Sequence, residues 1–403
     1  MSGTDPRGPG RERALSGQRL VLLLGALNAA GPMAAFLYVP ALPSVQQAFG
    51  VPVHVAQLTV SVALAGFACG ILVSGPLSDR FGRRPVLMCG MLTFALGSLL
   101  CLIAPSLPWL VAGRAVQTLG TSTGLVVSRA VVIDSFPAEK VFRMIATLTM
   151  VMVLANGLSP YLGGVCVKAF GWRSIFVLLS AAGLLMVLAA WRYIPETRAR
   201  PSGGASIWHT ALGLARRPVF IAYLIEGGAI IAIFQVFVST TPYIMQNHFH
   251  RTPQEFGVFT ACVSGGYFIG NFLVTRLGHR WSQHSMMRTG LAIQMGFALA
   301  LLALVWLAPP GPYPIYVPMA CLALGQGLAL PQVNAAALTL SPQNAGLASS
   351  LIGFGQNILS SGSVQFVSLF PTGAGFPMIV FTVCAACVAV LCAWLVPQGK
   401  QAR

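Results

Sequence analysis

The chain has 403 residues, of which 56% are hydrophobic and 8% charged, against about 25% charged in ordinary soluble proteins. Its mean hydropathy is +0.77, and so few charged groups cannot cover a soluble globule of this size, which excludes a soluble enzyme. Twelve helices of about 20 apolar residues would consume most of the length, leaving no room for an extracellular domain, a cytosolic catalytic domain or a disulfide scaffold.

The net charge of +16, from 24 basic and 8 acidic residues, does not point to nucleic acid. Its cations sit in short gaps between apolar runs, as the loops of a membrane protein do. The nine cysteines all lie within or at the edges of apolar runs. Cys384-x-x-Cys387 lacks both the strand–helix setting of a redox pair and a second ligand pair for zinc. No metal or cofactor is expected.

In chain order, residues 1–18 are a polar, basic tail. The apolar run after it reaches Pro43, longer than the 7–15 residues or so of a signal-peptide core, so it reads as an uncleaved first span. Spans 2 to 6 are expected near 55–77, 85–104, 108–133, 142–168 and 173–194. The polar stretch 195–217, with Pro201, Ser202, Gly203 and Gly204 at its middle, reads as a linker. Spans 7 to 12 follow near 218–242, 255–277, 288–308, 314–338, 346–369 and 374–396, before a tail at 397–403. The expected fold is an all-α membrane protein of twelve transmembrane helices in two six-helix bundles, 19–194 and 218–396.

The loop charges set the orientation. With the N-terminus inside, Arg7, Arg11, Arg13, Arg19, Arg80, Arg83 and Arg84 fall in the cytoplasm. So do Lys140, Arg143, Arg192, Arg198, Arg200, Arg216, Arg217, Arg276, Arg280, Arg288, Lys400 and Arg403, while only Lys168, Arg173 and Arg251 lie outside. Both tails and the linker are therefore expected in the cytoplasm. The halves also repeat: Arg80-Phe-Gly82-Arg-Arg84 after span 2 is echoed by Arg276-Leu-Gly278-His-Arg280 after span 8. A parallel six-plus-six repeat implies a central cavity between two bundles that rock for alternating access.

The strongest motif is Gly75-Pro-Leu-Ser-Asp79-Arg80-Phe-Gly82-Arg83-Arg84 between spans 2 and 3. Gly75 permits close helix approach and Gly82 a tight turn. Asp79 can face the positive N-terminal end of span 11, and Arg83 can pair with Asp134 at the end of span 4. The loop resembles the signature of the major facilitator superfamily. Tyr38-Val-Pro-Ala-Leu-Pro43, Gln57-Leu-Thr-Val-Ser61, Arg114-Ala-Val-Gln117-Thr-Leu-Gly120, the stretch Arg129 to Asp134, and Gly171-Trp-Arg-Ser-Ile-Phe176 are similar to the bicyclomycin-resistance-type branch of drug:proton antiporters in that superfamily. So are Pro195-Glu-Thr197, Pro331-Gln-Val-Asn334 and the stretch Ala345 to Gly353. The resemblance implies the major facilitator fold, a bacterial inner membrane, export of small molecules against a proton gradient, and a gate of Gly75, Asp79, Arg80, Gly82, Arg83, Arg84, Arg129 and Asp134. Gly157-Leu-Ser159-Pro160-Tyr-Leu-Gly163-Gly164 in span 5 is similar to the antiporter motif, with Ser159 replacing a glycine. Pro160 lets the helix bend and the paired glycines allow close packing on the other bundle.

Ionisable groups inside a bilayer are functional candidates by default. Arg114 lies about 9 Å into span 4, counted from Pro108. The resemblance gives the corresponding arginine a part in coupling proton and substrate movement, and an anion-binding role is the alternative. Glu226 lies about 12 Å into span 7 and is the best proton carrier, because a carboxyl removed from water holds its proton more readily. Relatives in this branch place an aspartate two residues before the span 1 tyrosine, where this chain has Phe36. With no acid in span 1 and no histidine inside any span, proton coupling rests on Glu226 and Arg114. Phe36, Tyr38, Asn156, Gln235 and Asn334 are expected to line the substrate cavity, stacking on amphipathic solutes and hydrogen-bonding them without fixed charge.

The reading is a monomeric exporter of small molecules or drugs, with the bilayer, protons and its solute as partners, and no enzymatic site. One alternative is a metabolite or organic-anion exporter, a uniporter or exchanger with little proton coupling. A more distant one is a non-transporting membrane sensor.

Overall fold

The computed structural model describes residues 17–197, 212–278, 280–307, 309, 311–341, 345–370 and 375–395; the two expected tails and most of the linker lie outside them. Twelve long helices lie among the described residues. They are α1 (Gly17–Tyr38), α2 (Leu58–Phe81), α3 (Arg83–Leu102), α4 (Leu107–Ser135), α5 (Ala138–Phe170), α6 (Ser174–Tyr193), α7 (Pro218–Tyr243), α8 (Pro253–Leu277), α9 (Gln283–Leu307), α10 (Tyr313–Thr339), α11 (Ala345–Ser368) and α12 (Phe376–Leu395). Among the described residues there is no strand. Eleven helices among the described residues are long and apolar enough to cross a membrane. The twelfth, α11, falls short of that hydropathy because serines, Gln356, Asn357 and Gln365 run along it. Only a helix satisfies its own backbone in hydrocarbon, so long apolar runs leave the chain no other structure.

The breaks have local causes. The turn from α2 to α3 passes through Gly82 at φ +101°, backbone that a residue with a Cβ avoids. Thr252 and Glu255 form a capping box at the start of α8: the Glu255 backbone N–H donates to Thr252 Oγ1 (3.2 Å), and the Thr252 N–H donates to Glu255 Oε2 (2.8 Å). Span 1 is expected to stop at Pro43, but the backbone continues right-handed helical past the prolines to Phe49. A 3₁₀ turn (Val39–Ala41) leads into a further helix, Leu42–Phe49, which ends at Gly50 in the left-handed region. Pro43 lies in the first turn of that helix, where a missing N–H goes unnoticed.

Two bundles result. In the first, α4 packs on α1, α2 and α3, with α5 against α1 and α6 against α3. In the second, α10 packs on α8 and α9, and α12 joins α7 and α9. Small residues set the spacing: a Cβ on Gly120 would come within 2.5 Å of the Gly90 carbonyl oxygen of α3, and one on Gly325 within 2.6 Å of the Gly290 carbonyl oxygen of α9. The bundles meet mainly along two helix pairs, α2 with α11 and α5 with α8.

Polar contacts between bundles gather at the end where α1 hands over to α2. Gln57 donates to the Ser239 carbonyl (3.2 Å), Gln246 to that of Pro40 (3.1 Å) and Gln365 to that of His54 (3.1 Å), while Ser361 donates to the Ser61 carbonyl (2.7 Å). At the opposite end, which carries Arg80, Arg83 and Arg84, a Cβ on Gly346 at the start of α11 would meet nothing within 4 Å. The polar contacts that join the bundles are thus found at the end away from the basic loop.

Candidate functional site

Between the bundles lies a cavity of about 130 Å³. The first bundle contributes residues of α1, α2 and α4, including Phe36, Phe67, Arg114 and Thr118; the second contributes Gln235, Val238 and Ser239 of α7 and Asn357 of α11. Its walls are mostly apolar, and Arg114 is the one ionisable residue among them. Phe36 meets Phe234 of α7 edge-on, with ring centroids 5.9 Å apart.

Arg114 is 1% exposed. Its Nη1 donates to the Ala34 carbonyl of α1 (3.0 Å) and to Gln117 Oε1 (2.5 Å), and Nε donates to the Thr59 carbonyl of α2 (3.4 Å). Its guanidinium lies over the Tyr38 ring at 4.5 Å. Tyr38 in turn donates to Thr59 Oγ1 (2.8 Å), and Gln117 donates to Ser98 of α3 (2.7 Å). Carbonyl oxygens and a π face thus take the place of a counter-ion, and no carboxylate pairs with Arg114 among the described residues. Carbonyl acceptors and a ring solvate a buried cation but do not neutralise it.

Glu226 is fully buried, and neither of its oxygens has a donor among the described residues. It lies inside the second bundle, within electrostatic reach of Tyr223 and of Cys392 on α12. It does not line the cavity, so the two residues expected to share proton coupling sit in different bundles and in different surroundings. Of the five residues expected to line the cavity, Phe36 and Gln235 do so. Tyr38 is behind Arg114 and has no exposed surface. Asn334 accepts from Gln356 (2.9 Å) within the second bundle. Asn156 has its Oδ1 buried without a partner, outside the cavity wall. Phe67, Thr118, Val238 and Ser239 are lining residues that the sequence did not single out. Tyr38, Asn156 and Asn334 are thus not among the residues that line the cavity.

The basic loop forms a network around Arg83, which is 8% exposed. Its Nε donates to Asp134 Oδ2 of α4 (3.0 Å), while Nη1 donates to Asp79 Oδ1 (2.5 Å) and Ser78 Oγ (2.6 Å). Asp79 was expected to face the start of α11; here it turns to Arg83 with its side chain 65% exposed. Arg84 donates to the Trp191 carbonyl of α6, Arg80 lies over the Phe81 ring, and Gly75 has only Val126 near it. Arg129 leaves its Nε buried without a partner. Glu196, just past α6, accepts from the Arg83 backbone N–H (2.9 Å) and fills the space where a Cβ on Gly82 would sit. The echo of this loop after α8 is not a structural copy, since Gly278 is right-handed helical (φ −59°) where Gly82 is not.

The span 5 motif serves two neighbours. A Cβ on Gly163 would run into the Leu37 backbone of α1, in its own bundle, and one on Gly164 into Pro253 and Gln254 of the second bundle. Gly157 faces Ser264 of α8, and a Cβ on Gly257 of α8 would come within 2.6 Å of the Pro160 carbonyl oxygen. Ser159 is buried and donates to the Ala155 carbonyl (2.6 Å), partnering its own helix.

The profile of the Major Facilitator Superfamily matches residues 24–364. The chain is similar to the multidrug resistance protein D of Escherichia coli (strain K12), 28% identical over 93% of this chain and 95% of that one. It is likewise 28% identical to a bicyclomycin resistance protein homolog of Haemophilus influenzae, over 92% and 93% of the two chains. Among solved structures, the inward open conformation of the xylose transporter XylE from E. coli superposes with a TM-score of 0.74 at 14% identity, covering 95% of this chain and 97% of that one.

Proposed function

The chain belongs to the Major Facilitator Superfamily, and from that premise we propose that it exports small amphipathic molecules, drugs among them, by proton antiport. The observation that carries this reading is the cavity walled by both bundles of one chain, which are joined by polar contacts at one end. Such a cavity reaches one side of the membrane at a time, and rocking about the α2–α11 and α5–α8 seams exchanges the sides. The names of the relatives, a multidrug and a bicyclomycin resistance protein, support drugs as cargo.

The excess of cations at the basic end supports a topology with that end, both tails and the linker in the cytoplasm of a bacterial inner membrane. In this orientation Gln57, Gln246 and Gln365 join the bundles on the outer side. One chain supplies both walls, so the working unit is a monomer. The reading assigns it no covalent chemistry and no nucleic-acid partner.

Glu226 is the proton carrier in this scheme. An ionised carboxylate there would have no donor in the present packing, and such a charge is costly away from water. Its deprotonation therefore needs helices around it to shift, which is the coupling an antiporter requires. The test is internal pH in proteoliposomes bearing wild type or Glu226→Gln, on addition of a panel of drugs. Drug-evoked proton movement that disappears in the variant is the expected result. Drug transport with no proton movement in either protein would sink antiport.

A further inference from the structure

Arg114 holds a full charge in the wall of the cavity, and three of its surroundings decide what that charge can do. First, Nε and Nη1 are engaged by the protein, while Nη2 has no protein acceptor among the described residues. Second, no other ionisable side chain lines the cavity, so nothing there cancels the charge. Third, the remaining wall is aromatic and aliphatic, with Phe36 and Phe67 on the same cavity as Arg114. A cation this deeply buried and still unpaired attracts an anion more strongly than one in bulk water, because the protein around it screens less. The cavity volume of about 130 Å³ is close to that of an engineered apolar cavity of about 150 Å³ that accepts benzene. A single aromatic ring is thus the size of group it accommodates.

We infer that the cavity is an anion site and that the cargo is an amphipathic aryl monoanion, its carboxylate on Arg114 Nη2 and its ring against Phe36 and Phe67. This deepens the exporter reading and rests on it for the direction of transport, though the site itself does not depend on proton coupling. A carboxylate on guanidinium makes charge-assisted hydrogen bonds, and the carbonyls of Ala34 and Thr59 hold the guanidinium in place. A cationic solute of the same shape would meet Arg114 with like charge and no carboxylate to relieve it.

The probes are 3-phenylpropionate and 3-phenylpropylamine, near-isosteres of opposite charge at neutral pH. Their binding to the purified full-length protein is measured by isothermal titration calorimetry. Wild type is expected to bind the anion about tenfold or more tightly than the amine, the span that one charge-assisted bond supplies. Arg114→Gln should abolish that preference, and Arg114→Lys, which keeps the charge, should retain part of it. Phe36→Asp places a carboxylate on the same cavity and should weaken binding of the anion while tightening that of the amine relative to wild type, a gain that misfolding cannot produce. Equal or tighter binding of the amine by wild type, binding of neither probe, or an anion preference that survives Arg114→Gln would overturn the inference. Failure on these counts with drug-evoked proton movement intact leaves the exporter reading standing. The converse result, anion preference without that movement, removes antiport and keeps the anion site.

Discussion

At the scale of single residues, the interior is organised by side chains that bond to main-chain groups of other helices. Arg114 links α4 to the carbonyls of α1 and α2, and Glu196 reaches from the end of α6 to the first N–H of α3. The Glu196 contact is a helix cap supplied from outside the helix. Its carboxylate accepts from an otherwise orphaned N–H and sits at the positive end of the α3 dipole. Glu196→Ala should therefore cost about 1–2 kcal/mol, the worth of a lost cap, and lower the unfolding midpoint of the purified protein by about 1–3 °C. Glu196→Gln, which keeps an acceptor, should cost less; an unchanged midpoint in Glu196→Ala would remove the cap argument. Pro195-Glu-Thr197 was visible as a motif, yet its role was not, because the N–H it caps lies 113 residues earlier and no local spacing connects them. Tyr38, Asn156 and Asn334 illustrate a different limit. A membrane helix is apolar on both its lipid face and its packed face, so periodicity places a residue in depth but does not say which way it points.

At the scale of elements, α5 separates two jobs on adjacent residues. Gly163 allows α5 to lie on α1 in its own bundle, and Gly164 allows it to lie on the start of α8 in the other. Neither site has room for a methyl group, since each clash is with backbone that cannot rotate away. Gly163→Ala should thus lower the stability of the first bundle, seen as a reduced unfolding midpoint and poor yield. Gly164→Ala should leave the bundle intact and loosen the seam between bundles, seen as proton leak through proteoliposomes without any drug. Indistinguishable behaviour of the two variants in both assays would show that α5 packs as one rigid face. The glycine pair and Pro160 could be read from the sequence as packing devices, whereas the split between neighbours depends on the helix's rotational setting. The course of the chain past span 1 was hidden for a related reason: proline ends one helix or begins the next equally well, and only the Leu42–Phe49 helix shows which.

At the scale of the whole molecule, the number of helices, their pairing into two bundles and the place of the basic loop all followed from hydropathy and spacing. Those are properties of long stretches, averaged over many residues. The state of the gate is a property of two residues and was not legible in the same way. Arg83 is joined to both Asp134 and Asp79, all within the first bundle, so the Arg83–Asp134 pair alone makes no bridge between the bundles. Asp79, with most of its side chain in solvent, is the group free to exchange partners. When the bundles close over the basic end, its carboxylate can leave Arg83 for the positive N-terminal end of α11. An exposed charge at a helix terminus is worth about 0.3–1 kcal/mol, which changes the ratio of closed to open molecules by about two- to fivefold. Cysteines introduced at Leu77 and Ser349, in a protein whose nine native cysteines are replaced, would report that closure as a disulfide between α2 and α11. Asp79→Asn should lower the cross-linking rate by that factor, and Asp134→Asn, which frees Arg83 without removing the Asp79 charge, should lower it less. Equal loss in both variants would return the latch to the Arg83–Asp134 pair, and an unchanged rate in Asp79→Asn would remove Asp79 from the gate.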